Sequence, residues 1–131
     1  MKILVGYDGS NLAKKALKLA QEHAKALNAK IEVIRAIERS SPLDYQYIQK
    51  VEQELEWEVR DILNGDNTSC ETHLILDSLS VGDQIVNFAD RKKVSEVIIG
   101  ARKRSRSGKV LFGSTTQHVV LNAPCPVVTV K

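Results

Sequence analysis

Residues 2–11 have the sequence Lys-Ile-Leu-Val-Gly-Tyr-Asp-Gly-Ser-Asn, and this stretch predicts how the fold begins. The apolar run over residues 2–7 predicts a short buried strand, and residues 8–11 supply side chains that favour a turn and a helix cap. Apolar residues then recur with a period of 3.6 residues, which predicts a helix over residues 11–28. The chain therefore begins with a strand that passes through a tight turn into a helix.

The same order of strand and helix recurs along the whole chain. Further strands are predicted over residues 31–37, 70–76, 94–99 and 126–130, and further helices over the apolar stripes of residues 48–62, 81–89 and 114–122. Strict alternation with largely apolar strands predicts a parallel sheet that is covered by helices on both faces. We expect one α/β domain over residues 1–131 with five parallel strands.

Composition agrees with a globular domain of ordinary size. Apolar residues make up 43% of the 131 residues and charged residues 27%, close to the average for soluble proteins. The longest apolar runs, such as residues 97–99, are far too short to span a bilayer, so no membrane segment is expected. The chain opens directly into a strand-like run without a signal-peptide pattern, which predicts a cytoplasmic location.

The positive charge of the chain is concentrated in one segment. Net charge is only +3, yet residues 102–109 carry five basic side chains and no acidic one. Because no aromatic residue is interleaved with them, base stacking is not provided for, and nucleic-acid binding is disfavoured.

Sequence spacing gives no sign of a metal site or of efficient catalysis. Cys70 and Cys125 form no C-x-x-C pattern, and His23, His73 and His118 lack the spacing of metal ligands. The G-x-S-x-G, Walker and G-x-G-x-x-G patterns are all missing from the sequence, which disfavours nucleophilic catalysis, P-loop phosphoryl transfer and dinucleotide binding. Without a general base or metal cluster, slow turnover is the most that we expect.

The loops after the strands are the expected ligand-binding positions, since open parallel sheets bind ligands beyond the carboxyl ends of their strands. The loop over residues 100–113 is long for such a connection. Gly113 is followed by hydroxyl side chains at a predicted helix start, which suits a phosphate group, although such a pattern is more often a plain helix cap. Asp8 either forms an Asx turn or accepts hydrogen bonds from a ribose or base, and its position leaves both interpretations open.

These motifs together resemble the universal stress protein family over essentially the whole chain. The matching stretches are residues 3–10, residues 98–100, the pair Gly113-Ser114, and residues 123–128 with the sequence Ala-Pro-Cys-Pro-Val-Val. The resemblance implies an adenine nucleotide alpha hydrolase-like fold with strand order 3-2-1-4-5. It also implies a regulatory module of the stress response.

Nucleotide-binding members of that family carry G-x-x-G, nine further residues, and then G-[ST]. Gly100 fits the first glycine, Gly113 and Ser114 fit the last pair, and Lys103 stands in place of the second glycine. A lysine there either obstructs the phosphates or grips them; we favour obstruction, because a glycine at such a position serves close backbone approach. The resemblance implies that ATP or a related adenine nucleotide, with Mg²⁺ as its companion, binds at Asp8, Ala36, Ile99, Gly100, Lys103, Gly113, Ser114 and Thr115.

The last strand is the predicted contact between subunits. Its apolar side chains lie at a sheet edge, which invites pairing with another chain. The resemblance implies a homodimer formed through Pro126, Val127, Val128, Thr129 and Val130. An alternative function follows from this surface: a dimeric interaction protein that binds no nucleotide and acts through a protein partner of unknown identity.

Overall fold

The computed structural model describes residues 1–42, 44–101, 103–104 and 107–131, and of Lys103, Arg104 and Val110 it describes the backbone alone. Within these residues the elements follow in the order β1 (Lys2–Gly6), α1 (Asn11–Leu27), β2 (Lys30–Glu38), α2 (Tyr45–Leu63), β3 (Cys70–Asp77), α3 (Val81–Lys92), β4 (Glu96–Gly100), β5 (Lys103–Arg104), β6 (Val110–Leu111), α4 (Ser114–Asn122) and β7 (Val127–Val130). None of the described helices has both the length and the apolar character that crossing a bilayer requires.

Five strands form one sheet in the order β3-β2-β1-β4-β7, and every neighbouring pair is parallel. This confirms the predicted order 3-2-1-4-5, in which β7 is the fifth strand. The last strand begins at Val127, one residue later than predicted, and the Pro126 carbonyl still accepts a 3.0 Å hydrogen bond from the Val97 N–H.

The sequence did not predict the short antiparallel hairpin of β5 and β6. It lies inside the long loop after β4, and Gly108 adopts φ 80° between its strands. A basic segment has none of the apolar alternation by which strands are recognised. Part of that segment, namely Arg102, Ser105 and Arg106, lies outside the described residues.

Two apolar clusters cover the two faces of the sheet, as the unbroken apolar strands predict. One cluster packs α1 and α2 against strand residues such as Ile3, Val5 and Val33. The other packs α3 and α4 against the alternate residues, among them Leu4 and Ile34. The helices are thereby fixed, and their N-terminal ends frame the carboxyl edge of the sheet.

Candidate functional site

A pocket of about 130 Å³ lies at the carboxyl edge of the sheet. Its walls come from the ends of β1, β2 and β4 and from the first turns of α1, α3 and α4. The lining residues are Gly6, Tyr7, Asp8, Ser10, Leu12, Ala13, Ile34, Ala36, Val81, Ile85, Ile99, Gly100, Thr115 and Thr116. The position agrees with the general rule for ligand sites in open parallel sheets.

Five of the residues that the sequence singled out line this pocket together, namely Asp8, Ala36, Ile99, Gly100 and Thr115. Gly113 and Ser114 are outside the lining but are adjacent to it, as the cap and the first residue of α4. The side chain of Lys103 lies outside the described part of the chain, so its orientation toward the pocket stays a prediction.

Other lining residues were not predicted. Val81 and Ile85 come from the apolar stripe of α3, and sequence alone cannot distinguish a pocket wall from core on such a stripe. Tyr7 was predicted to be part of the first buried strand, but it directly follows β1 and lines the pocket. Among these unpredicted lining residues, the sequence could have indicated Thr116, since it belongs to the hydroxyl-rich start of α4.

The turn between β1 and α1 is fixed by two side chains. One Asp8 carboxylate oxygen, Oδ1, accepts a 3.0 Å hydrogen bond from the Ser10 N–H, which forms an Asx turn. Ser10 Oγ in turn accepts a 3.1 Å hydrogen bond from the Ala13 N–H and caps α1. Gly9 adopts φ 82°, a conformation that favours glycine. Asp8 therefore has the structural role considered above, and it also lines the pocket.

Gly100 joins three elements at the floor of the pocket. Its carbonyl accepts a 2.8 Å hydrogen bond from Oγ1 of Thr116, which ties the start of α4 to the end of β4. A Cβ atom at Gly100 would lie only 2.8 Å from Cβ of Leu12, in the first turn of α1. The glycine is thus required for close packing of α1 on β4, apart from any ligand.

A second polar cluster lies on the α3 face of the sheet, on β2 and β3. Glu32 is 2% exposed, and its Oε2 lies 2.6 Å from His73 Nε2. With Glu71, these side chains place three potential metal-ligating atoms within 4.8 Å of one another. The Lys30 ammonium, however, lies 2.7 Å from Glu71 and 3.7 Å from Glu32, so the cluster already contains its own cation. We interpret it as an ion-pair network that joins the two strands.

Both cysteines are free thiols. Burial raises the pKa of Cys70 to about 11, and it also raises the pKa of Cys125. A raised thiol pKa leaves little of the nucleophilic thiolate at neutral pH. The two thiols are therefore poorly suited to nucleophilic chemistry.

Comparison with known proteins places the whole chain in one family. The model of the universal stress protein family matches residues 1–131. A universal stress protein of Thermus aquaticus is 28% identical over 134 residues, which cover 98% of this chain and 97% of that protein.

Two solved structures of Archaeoglobus fulgidus proteins have the same fold. The structure of a universal stress protein is 31% identical, has a TM-score of 0.86, and aligns over 100% of this chain and 98% of that one. A second structure, of the universal stress protein in complex with dAMP, is 27% identical with a TM-score of 0.82 and the same coverage. Because the family model matches the chain over residues 1–131, the chain belongs to the universal stress protein family.

Proposed function

We propose that this protein is a regulatory module of the stress response that binds an adenine nucleotide in the pocket at the carboxyl edge. The observation that carries the proposal is the convergence of Asp8, Ala36, Ile99, Gly100 and Thr115 on one cavity. The Archaeoglobus fulgidus protein solved in complex with dAMP, with the same fold and 27% identity, supports the choice of ligand.

The shape of the site suggests how a nucleotide lies in it. A cavity of about 130 Å³ is smaller than the roughly 300–1,000 Å³ of typical small-molecule sites, so it accepts the base and part of the ribose. In this proposed orientation, Asp8 and Ala36 contact the base and ribose of the nucleotide. The phosphates then extend to the start of α4, where Gly113, Ser114 and Thr115 present backbone N–H groups and hydroxyls. ATP would bring Mg²⁺ with it, coordinated by the phosphates.

Replacing Asp8 with alanine is expected to weaken AMP and ATP binding by about 1–3 kcal/mol, the cost of losing hydrogen bonds to a charged group. Isothermal titration calorimetry measures the effect. Asp77→Ala is a matched control: Asp77 also accepts a hydrogen bond from the backbone N–H two residues on, that of Leu79, but it does not line the pocket. Equal affinities in the parent and Asp8→Ala would contradict the proposed orientation.

We further propose that two copies pair through β7. Within the described residues β7 lies at one edge of the sheet, hydrogen-bonded to β4. Its four residues are only half-buried, although Val127, Val128 and Val130 are apolar. An antiparallel pairing of β7 with its copy would satisfy this edge in a self-complementary contact.

Val128→Lys is expected to convert the dimer to a monomer, because it places two like charges near the two-fold axis. Sedimentation equilibrium at micromolar concentration measures the mass, and circular dichroism checks the fold. Thr72→Lys, on the opposite edge strand β3, is the control and should remain dimeric. A monomeric parent protein would reject the dimer. A dimer that binds neither AMP nor ATP would favour the nucleotide-free interaction protein instead.

A further inference from the structure

A partly buried hydrogen bond connects the pocket to helix α2. The Tyr7 hydroxyl donates to Glu58 Oε2 at 2.6 Å, and Tyr7 is only 3% exposed. Tyr7 also lines the pocket, whereas Glu58 lies on α2 and does not. Burial, together with the bond to Glu58, raises the pKa of Tyr7 far above its usual range, so the phenol remains a donor at every physiological pH.

Glu58 and Arg35, the latter on β2, also lie close to the turn that carries Asp8. A Cβ atom at Gly9 would lie 3.4 Å from Arg35 Nη1 and 3.9 Å from Glu58 Oε2. Neither of these two side chains lines the pocket. Nε of Arg35 is buried and makes no hydrogen bond within the described part of the chain.

Glu58 thus lies close to both residues that flank Asp8. It accepts the hydrogen bond of Tyr7 on one side, and it lies beside Gly9 on the other. The Asp8 carboxylate and the Ser10 cap can face the pocket only while this turn keeps its form. We infer that Glu58 is a positioning residue for nucleotide binding, which holds the Asp8–Ser10 turn in its binding form from outside the pocket. This inference rests on the proposed function for its ligand, but the effect on the turn is independent of it.

Glu58→Met and Tyr7→Phe test the inference, since each removes one partner of the hydrogen bond and nearly keeps the size of the side chain. We expect each to weaken AMP binding about three- to tenfold, and the double variant to be no weaker than the worse single variant, because both remove the same hydrogen bond. Glu54→Met is the matched control, one turn earlier on α2, where the side chain is 57% exposed. Its AMP affinity should equal that of the parent.

Hydrogen exchange of the Ser10 amide supplies a second measurement that needs no ligand. This amide donates to Asp8 Oδ1, and it should exchange several-fold faster in Glu58→Met than in Glu54→Met, at urea concentrations that give the two variants the same free energy of unfolding. Unchanged Ser10 exchange in Glu58→Met overturns the inference, whatever the affinities are. Faster exchange with an AMP affinity equal to that of the parent also overturns it, as Glu58 would then be structural only. If the parent binds no AMP, the proposed function fails, and Ser10 exchange still decides whether Glu58 holds the turn.

Discussion

Gly100→Ala should lower the free energy of unfolding by about 1–3 kcal/mol, the usual cost of overpacking a core. The new Cβ would lie 2.8 Å from Cβ of Leu12 and 3.5 Å from its carbonyl carbon. These atoms belong to the helix backbone or are attached to it, so no side-chain rotation relieves the contact. The first turn of α1 must move away from β4, and the proposed binding of AMP in the pocket that both elements line should weaken together with stability.

Gly6→Ala is the matched control for this variant. Gly6 also lines the pocket, at the end of β1, and an added Cβ there would meet only the flexible tips of Ile99 and Ile85, at 3.3 Å and 3.4 Å. Urea unfolding should show a cost below about 1 kcal/mol, since side-chain ends can shift by a few tenths of an ångström. Equal costs for the two alanine variants would show that α1 does not need the close approach at Gly100.

His73→Leu should lower the free energy of unfolding by about 1–3 kcal/mol, because it leaves the buried Glu32 carboxylate without its 2.6 Å hydrogen bond to the His73 imidazole. Glu32 is 2% exposed and would keep only the Lys30 ammonium at 3.7 Å. The apolar contact with Phe88, whose ring centre lies 4.9 Å from that of His73, is retained by leucine. The loss measured by urea unfolding therefore reports the carboxylate that is left behind.

The double variant Glu32→Leu, His73→Leu distinguishes this explanation from a loss of packing. Replacing both partners with apolar residues removes the buried carboxylate as well, and most of the stability should return. Lys30 keeps its 2.7 Å contact with Glu71 in either variant. A double variant as unstable as the sum of the two single variants would show that Glu32 and His73 are not energetically coupled.

The sequence was sufficient for the order of elements because the apolar periods of strands and helices differ strongly. Asp8, Gly100 and Thr115 line the pocket because they directly follow predicted strands or open a predicted helix, where pocket residues are expected; their binding of a nucleotide stays a prediction. The hairpin of β5 and β6 was missed, since two-residue strands in a charged segment have no apolar pattern.

Side-chain clusters formed across elements were beyond sequence reasoning. Glu32 and His73 are 41 residues apart and meet only because of the pairing register of β2 with β3. The bond between Tyr7 and Glu58 similarly depends on the rotation of α2 about its axis, which packing decides. The spacing of residues along the chain does not determine the register of β2 with β3 or the rotation of α2. A search for short sequence motifs therefore cannot find such clusters.

The position of β1 in the sheet has a consequence for how the chain folds. Lys2 pairs with Lys30 on one side, but on the other side Ile3 pairs with Glu96, which is much more distant in sequence. Contacts between residues so far apart in sequence slow the search for the native state. During synthesis, β1 and β2 are made early, and the apolar edge of β1 that pairs with β4 stays unpaired until β4 is made. The nascent chain is therefore most prone to aggregation in that interval, and the pocket is among the last parts to form.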